Sequence, residues 1–202
     1  MHSLRGQNLL IATGNEGKLA EFAALLVPYG TRVLSLRDVG LDEPEETEFS
    51  FAGNARLKAQ AASQASGLVA LADDSGLVVE GLGGLPGIYT ADWAERRAGR
   101  NFAHAMQMVV SLLRAGGAPP PWKACFVCSL VLFRPQTPYL VFEGRIAGQI
   151  VWPMRGSLGH GFDPIFLPDG FGLTLGEMPK AQKNLISHRA DAVRQFIAAC
   201  FT

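Results

Sequence analysis

The sequence predicts an α/β fold, because short apolar runs typical of buried strands alternate with segments whose apolar residues recur at helical spacing. Residues 8–12 and 68–72 are apolar runs of strand length, whereas Leu19, Phe22 and Leu26 repeat with the period of a helix. A chain of 202 residues with 48% hydrophobic and 18% charged side chains is long and apolar enough to bury a core. We therefore expect one domain that spans residues 1–202.

The charge balance and the cysteines narrow the function classes. Lys plus Arg and Asp plus Glu both number 18, so no basic field attracts nucleic acid and a polynucleotide partner is disfavoured. No apolar run reaches the ~20 residues that span a bilayer, and residues 1–8 lack the apolar centre of a signal peptide, so no membrane partner and a cytoplasmic location are expected. Cys125 and Cys128 would point to opposite faces of a strand, which favours buried structural thiols over a zinc site.

A polar segment follows the first predicted strand and leads into a helix expected over residues 18–27. It consists of Thr13, Gly14, Asn15, Glu16, Gly17 and Lys18. A strand-to-helix turn presents backbone N–H groups and the positive end of a helix dipole, so it suits a phosphate, and Lys18 adds a mobile charge. The segment is not a P-loop, because its glycine spacing is too short and Leu19 follows the lysine. A plain capping turn is the alternative.

The next elements are a strand over 31–36, an acidic loop over 42–48 and an alanine-rich helix over 51–66. The loop contains Glu43, Glu45, Glu46 and Glu48, and such a run is usually a solvated face. In the helix, Asn54 and Lys58 lie one turn apart on the same side.

Asp73 and Asp74 directly follow the apolar run 68–72 and precede Ser75, Gly76 and a second short apolar run. The two acids are therefore expected at the end of a buried strand. A carboxylate that leaves water costs several kcal/mol unless a cation compensates, so this position indicates a metal ion or a charged ligand. The alternative is that the acids only cap a turn.

The remaining chain predicts a helix that ends near Gly116 and two long strands, over 123–133 and 139–151, that pair antiparallel. The earlier segment Gly81–Gly87 does not match the dinucleotide spacing and is interpreted as a shaped loop. Residues 156–164 form a second glycine-rich loop, whose small residues suit close approach to a ligand.

The C-terminal helix is expected to begin near His188 and Arg189. Positive charge at a helix N-terminus is unfavourable without a counter-charge, so a bound anion or a keto oxygen would explain Arg189. A salt bridge to a nearby acid is the alternative.

Six motifs in this order resemble the non-canonical purine nucleoside triphosphate pyrophosphatases, also called inosine or dITP/XTP pyrophosphatases. The motifs are Thr13-Gly-Asn-x-x-Lys18, Glu45-Glu46-Thr before Phe-x-x-Asn-Ala-x-x-Lys58, Asp73-Asp74-Ser-Gly, Leu-Pro-Gly-Ile-Tyr, Gly-Phe-Asp-Pro-Ile-Phe and Lys183-x-x-Ile-Ser-His188-Arg189. They extend from residue 13 to residue 189 and so cover nearly the whole chain.

The resemblance implies an elongated α/β fold in which two lobes flank a strongly twisted mixed sheet, with the site in the groove between them. It implies a homodimer that uses Mg²⁺ to cleave ITP, dITP and XTP between the α and β phosphates. Asp74 would be the general base and, with Glu45 or Glu46, would bind the metal. The predicted substrate contacts are Thr13, Gly14, Asn15, Glu16, Gly17, Lys18, Lys58, Ser75, His160, Gly161, Phe162, Asp163, Lys183, His188 and Arg189.

The chain departs from the family pattern at three positions: Gly53 replaces a frequent Glu near the metal, His160 replaces Phe, and Asp92 replaces Arg. The runner-up within the enzyme class is a related septum-site pyrophosphatase acting on dTTP or modified pyrimidine triphosphates. A non-catalytic nucleotide-binding module would need no carboxylate pair. A dimeric aspartic protease would explain Asp74-Ser75-Gly76 but neither lysine.

Overall fold

The structure, a computed structural model, describes residues 3–201. In that range the chain forms six β-strands and five α-helices. The strands are β1 (Asn8–Ile11), β2 (Arg32–Ser35), β3 (Ala70–Val79), β4 (Trp122–Phe133), β5 (Leu140–Ile150) and β6 (Phe166–Pro168). The helices are α1 (Glu16–Leu26), α2 (Phe51–Ser66), α3 (Phe102–Ala115), α4 (Lys180–Ile186) and α5 (His188–Cys200).

The strands form one mixed sheet in the order β2-β1-β3-β4-β5-β6. Strand β1 is parallel to β2 and to β3, with Leu10 opposite both Leu34 and Ala70. Strand β6 is antiparallel to β5, with Gly148 opposite Pro168. The predicted α/β class is thus confirmed, and β4 and β5 are neighbours, as expected of a hairpin.

The chain divides into two compact units. Unit 1 consists of the described residues of Met1–Asp74, Ser129–Glu143 and Ala192–Thr202, and unit 2 consists of Ser75–Cys128 and Gly144–Asp191. Each unit is therefore assembled from more than one segment of the chain. A single domain over residues 1–202 stays a prediction.

Helix α2 provides much of the core of unit 1. Ser50 caps it by accepting a hydrogen bond from the Gly53 N–H at 3.0 Å, and Gly67, with φ of +71°, ends it in the left-handed conformation. Alanine has the highest helix propensity and little bulk. Ala55 and Ala59 are therefore fully buried in one apolar cluster with Leu10 and Ala72 of the sheet.

The core of unit 2 contains the apolar face of α3. Met106, Val109 and Leu113 recur at helical spacing and are buried in one cluster with Phe162 and Phe166. Met106 is therefore a core residue, as its helical spacing with Val109 and Leu113 indicates. None of the helices within residues 3–201 combines the length and the apolarity that crossing a bilayer requires.

One local prediction was wrong: Asp73 and Asp74 do not end a strand. They lie inside β3, which continues without a break from Ala70 to Val79, so the capped-turn alternative is also excluded. The strand continues because its acidic side chains have cationic and amide partners, described below, so their charge does not force the backbone into solvent. The three cysteines are free thiols. Cys128 is buried, as expected of a structural thiol, and so is Cys200, whereas Cys125 is only half-buried, so the expectation of a buried thiol is wrong at that position.

Candidate active site

The polar segment after β1 is both a helix cap and a cluster of backbone donors. The Asn15 side chain accepts a hydrogen bond from the Lys18 N–H at 3.1 Å, and Thr13 Oγ1 accepts one from the Asn15 N–H at 3.2 Å. Because the first amides of a helix have no intrahelical partner, Glu16 and Gly17 begin α1 with N–H groups directed out of the helix end. Both interpretations of this segment, cap and anion site, are therefore compatible with the structure.

A carboxylate that the sequence did not assign to the site contacts this turn. The Gly14 N–H donates a hydrogen bond to Glu43 Oε2 at 2.8 Å. We expected the acidic loop to be a solvated face, and its other members Glu45 and Glu46 are largely exposed. Gly14 and Glu43 are 29 positions apart, with α1 and β2 between them, so no periodic signal in the sequence could have predicted this contact.

Asp73 is the buried counter-ion of Lys18. Its Oδ2 lies 2.9 Å from Lys18 Nζ, and the residue is 1% exposed. The next residue along the strand, Asp74, accepts a hydrogen bond on Oδ2 from Asn54 Nδ2 at 3.2 Å. Since successive side chains of a strand point to opposite faces, the two acids serve different neighbours.

Asn54 also fixes the acidic loop, because its Oδ1 accepts a hydrogen bond from the Glu48 N–H at 2.9 Å. This residue therefore joins β3 to the loop that carries Glu46. The sequence analysis noted Asn54 one turn from Lys58 on the same helix face but did not assign it to the site, and that spacing was the signal from which it could have been found.

Lys58 is a buried cation surrounded by acids. Its side chain is 3% exposed, its Nζ is paired with the Glu46 carboxylate, and Glu43 Oε1 lies 3.7 Å away. Burial alone would lower the pKa of Lys58, but the surrounding charges outweigh it and raise that pKa above its ordinary value. The acids responsible are Asp73, Glu46 and Asp74.

Asp74 is the side chain whose charge is most costly in this group. Burial, followed by the charge of Glu46, raises the pKa of Asp74 from 3.8 to about 6. The opposing influences, which favour the carboxylate, come from Lys58, Asn54 and Lys18. We call these six charged side chains the carboxylate–lysine cluster: Lys18, Glu43, Glu46, Lys58, Asp73 and Asp74.

The cluster fits a hard divalent cation, although it is not a complete metal cage. Among residues 3–201, no group of three His, Cys, Asp or Glu side chains is arranged as a metal site. Glu46 nevertheless lies close enough to raise the pKa of Asp74, so two oxygen donors repel each other there. Mg²⁺ commonly takes one or two carboxylates and fills its remaining positions with water and substrate phosphate.

The structure distinguishes the two glutamates that the sequence offered as metal ligands. Glu46 contacts Lys58 and acts electrostatically on Asp74, whereas Glu45 is exposed. Gly53, where relatives of the predicted family often have Glu, lies in the first turn of α2. A Cβ there would approach Glu48 Cβ to 2.8 Å, so the loop in this chain is packed against a glycine.

Unit 2 contains a second group of predicted site residues, centred on a buried ion pair. Asp163 and Lys183 are 3% and 9% exposed, and Lys183 Nζ donates to Asp163 Oδ2. The same Oδ2 accepts a hydrogen bond from the His160 N–H at 2.9 Å, and a Cβ on Gly159 would collide with it. We call Gly159, His160, Phe162, Asp163 and Lys183 the Asp163 cluster.

The aromatic and basic residues nearby are also ordered. Phe162 is 1% exposed and packs edge-on against Phe102, with ring centroids 5.8 Å apart. Its ring therefore belongs to the core, and its contact with a base stays a prediction. His188 stacks on Phe126 at 5.1 Å between centroids.

Arg189, at the start of α5, is 6% exposed and donates from Nη2 to Ser75 Oγ at 3.3 Å. Ser75 directly follows Asp74 in β3. The Arg189 guanidinium therefore contacts the residue that follows the predicted base in the sequence. Among the other predicted contacts, Gly161 has a φ of +66°, and the exposed Glu16 side chain forms an ion pair with the exposed Arg37. Of Glu16, only the backbone N–H is suited to bind an anion.

The predicted site residues thus fall into two groups. Unit 1 holds the turn from Thr13 to Lys18 and the carboxylate–lysine cluster, and unit 2 holds Ser75, the Asp163 cluster, His188 and Arg189. Asp92, another departure from the family pattern, is exposed in a short 3₁₀ turn.

Comparison with known proteins agrees with the resemblance seen in the motifs. A protein from Ruegeria pomeroyi named dITP/XTP pyrophosphatase is 52% identical over 97% of this chain and 96% of its own length. One of the same name from Brucella melitensis is 46% identical over 97% of this chain and 94% of its own.

Solved structures agree as well. A HAM1 protein from Coxiella burnetii superposes with a TM-score of 0.90 at 32% identity, over 96% of this chain and 98% of its own. A nucleoside-triphosphatase / dITP/XTP pyrophosphatase from Mycobacterium abscessus has a TM-score of 0.79 at 34% identity, over 94% and 98% of the two chains. The model of the Ham1 family matches residues 9–199, and the chain therefore belongs to the Ham1 family.

Proposed function

We propose that this protein hydrolyses non-canonical purine nucleoside triphosphates, ITP, dITP and XTP, to the monophosphate and pyrophosphate. The observation that carries the proposal is Asp74: a buried carboxyl with a pKa of about 6, beside Glu46 and Lys58 and within the same unit as a backbone anion turn. The names of the relatives from Ruegeria pomeroyi and Brucella melitensis support the substrate class.

Phosphate binding is assigned to the turn Thr13–Lys18 and to Lys58. The N-terminal amides of α1 supply donors with a favourable dipole, and Lys18 and Lys58 supply positive charge. Both lysines are already paired with carboxylates, Lys18 with Asp73 and Lys58 with Glu46. A triphosphate with about four negative charges therefore meets a cluster whose acids outnumber its lysines, and a metal ion is needed to offset that charge.

Magnesium is the proposed cofactor, held by Asp74 and Glu46 and completed by phosphate oxygens and water. When bound, it would neutralise phosphate charge and polarise the phosphoryl group that is attacked. Glu46 is the more suitable of the two predicted glutamates because it pairs with Lys58 and acts electrostatically on Asp74.

Asp74 is the proposed general base. A base works best when its pKa lies near the operating pH, since it is then ionised yet still accepts a proton. Without a bound cation, burial and Glu46 raise the pKa of Asp74 from 3.8 to about 6. A bound cation would lower this pKa, so that the side chain is ionised and able to accept a proton at neutral pH. Asn54 orients the carboxylate by donating to Oδ2, and the attacking water would lose its proton to this side chain.

The purine is assigned to the residues of unit 2. Lys183 and Arg189 only donate hydrogen bonds, so they pair with the 6-keto oxygen of hypoxanthine or xanthine and oppose the 6-amino group of adenine. Rejection of GTP is assigned to the loop Gly159–Asp163, which would tolerate a hydrogen or keto oxygen at the 2-position but not an amino group. A homodimer is a further proposal that rests on the resemblance, and light scattering of the purified protein tests it. A cytoplasmic location is also proposed, on the sequence pattern alone.

A substrate profile tests the proposal. Purified protein is incubated with ITP, XTP, dTTP, UTP and ATP in Mg²⁺, and pyrophosphate release is measured for each. We expect the highest kcat/KM for ITP and XTP, loss of activity with chelator and recovery with Mg²⁺. Preference for dTTP or UTP would move the protein to the pyrimidine class, full activity in EDTA would reject the metal, and no hydrolysis of any triphosphate would leave a binding module.

A further inference from the structure

The Gly14 amide of the anion turn has an acidic side chain as its partner. Glu43 Oε2 accepts its hydrogen bond at 2.8 Å. A carboxylate oxygen and a phosphate oxygen are alike to a backbone N–H, because both are anionic acceptors of similar size. The donor that would hold a phosphate oxygen is thus already used by a residue of the same unit.

The charge balance shows that Glu43 is not needed as a counter-ion. Lys58 is paired with Glu46, and Asp73 and Asp74 add further negative charge around it. Glu43 Oε1 lies 3.7 Å from Lys58 Nζ, outside hydrogen-bonding distance. The hydrogen bond from Gly14 is therefore the closer of the two contacts that hold this side chain in the turn.

Space allows Glu43 both to enter the turn and to leave it. A Cβ on Gly14 would lie 2.8 Å from Glu43 Oε2, so the contact depends on a glycine. The Glu43 side chain is 34% exposed. A cavity of about 530 Å³ adjoins the same turn, with Thr13, Gly14 and Glu43 in its wall.

We propose that Glu43 is an internal competitor of the substrate's phosphate groups: it occupies the Gly14 amide when the turn is empty and leaves it when phosphate binds. It would thereby weaken the binding of pyrophosphate and speed its release. This inference rests on the proposed function in one respect only, that the turn binds phosphate.

The size of the effect follows from the population of the occupied turn. An apparent dissociation constant equals the intrinsic one divided by the competent fraction, so a turn about 90% occupied by Glu43 binds phosphate ~tenfold more weakly. Removing the carboxylate should recover that factor.

The experiment measures binding of methylenediphosphonate, a pyrophosphate analogue whose P–C–P bridge is not hydrolysed, by calorimetry with and without Mg²⁺. Wild type is compared with Glu43→Ala, with Glu43→Asp and with Asp42→Asn. The aspartate keeps the charge but is too short to reach the amide, and Asp42→Asn removes one charge from the same exposed loop. We expect both Glu43 variants to bind ~tenfold more tightly than wild type, and Asp42→Asn to bind within ~twofold of it.

Three results would overturn the inference. Unchanged or weaker binding by Glu43→Ala shows that no competition exists, and weaker binding only in Mg²⁺ identifies Glu43 as a metal ligand. If Glu43→Ala and Asp42→Asn gain affinity for methylenediphosphonate equally while Glu43→Asp binds like wild type, the effect is one of charge in general. ITP hydrolysis is assayed on the same samples, so a protein that shows the predicted gains but no hydrolysis rejects the proposed function and retains this inference.

Discussion

The balance of charge differs between the carboxylate–lysine cluster of unit 1 and the Asp163 cluster of unit 2. In the first, four acids surround two lysines, and the side chains of Glu43 and Glu46 are 34% and 37% exposed. In the second, one acid meets one lysine, both are buried, and the Asp163 carboxylate also accepts the His160 N–H. The first cluster therefore has excess negative charge, and the second is balanced within the protein.

This difference indicates what each cluster is suited to do. Burial and, after it, the charge of Glu46 raise the pKa of Asp74. A cation or a proton relieves this cost, so the carboxylate–lysine cluster is suited to change its partners during a reaction. A one-to-one buried ion pair costs a great deal to break, so the Asp163 cluster is suited to keep its shape. Breaking each cluster separately should affect different properties.

The largest effect is expected on stability, from Lys183→Met. This change leaves Asp163 buried without its cation, and breaking a buried pair in this way costs about 3–5 kcal/mol. Urea unfolding of the variant measures the loss. Lys180→Met, an exposed lysine in the same helix, is the control and should stay within about 0.5 kcal/mol of wild type. The double variant Asp163→Asn/Lys183→Met should recover part of the loss, and equal stability of the two lysine variants would show that the pair is not structural.

The second effect is on catalysis, from Asp74→Asn. The amide is nearly isosteric with the carboxyl but cannot take a proton from water, so kcat for ITP should fall at least ~10²-fold with the fold unchanged. Asp73→Asn is the matched comparison. Because Asp73 pairs with Lys18 in the phosphate turn, it should act mainly on KM. If Asp73→Asn lowers kcat strongly and Asp74→Asn lowers it only slightly, Asp73 is the base and the roles assigned to the two acids are reversed.

The sequence predicted those parts of the site whose signals are local. Asn8–Ile11 followed by a capped α1 could be read from an apolar run, an Asn at the helix start and a helical repeat, and all of these are local. The continuity of β3 could not be predicted from the sequence, because Asp and Ser favour turns when their tertiary partners are unknown. Long-range partners, among them Lys18, Asn54 and Lys58, allow the acids to remain inside a strand.

Tertiary contacts likewise determined what each acidic residue does. The motif assigned Glu45 or Glu46 to the metal and left Glu43 out, but in the structure Glu43 accepts a hydrogen bond from the Gly14 N–H and Glu46 pairs with Lys58. Phe162 was expected against a ligand because of its glycine-rich neighbours, and its burial against Phe102 depends on a helix 60 residues earlier. Composition and spacing carry no information on such contacts.

The third effect is a pH dependence of the free energy of unfolding, which arises from the titration of Asp74. Its pKa is raised from 3.8 to about 6 in the folded state, so folding favours the protonated form. Stability from this group is therefore highest below about pH 4, falls as the pH rises to about 6, and is constant above. Each pKa unit corresponds to 1.36 kcal/mol, so without metal Asp74→Asn should be about 2–3 kcal/mol more stable than wild type at pH 8 and equal to it near pH 4.

Thermal unfolding in chelator at these two pH values measures that difference. Addition of Mg²⁺ at pH 8 should stabilise wild type and not the variant, because the ion relieves the repulsion that the variant lacks. A constant difference between pH 4 and pH 8 would contradict the raised pKa.

The smallest effect is on selectivity, from Arg189→Ala. The Arg189 guanidinium is held by its contact with Ser75. If it donates to the 6-keto oxygen of the purine, removal of the side chain leaves that oxygen unsatisfied. An unsatisfied buried group costs ~1–3 kcal/mol, so kcat/KM for ITP should fall ~tenfold or more while the ratio of ITP to ATP activity narrows. Arg194→Ala, an exposed arginine of the same helix, should leave both values unchanged. Equal losses on ITP and ATP in Arg189→Ala would mean that the guanidinium acts on phosphate or on folding, since only a contact with the base distinguishes a 6-keto from a 6-amino group.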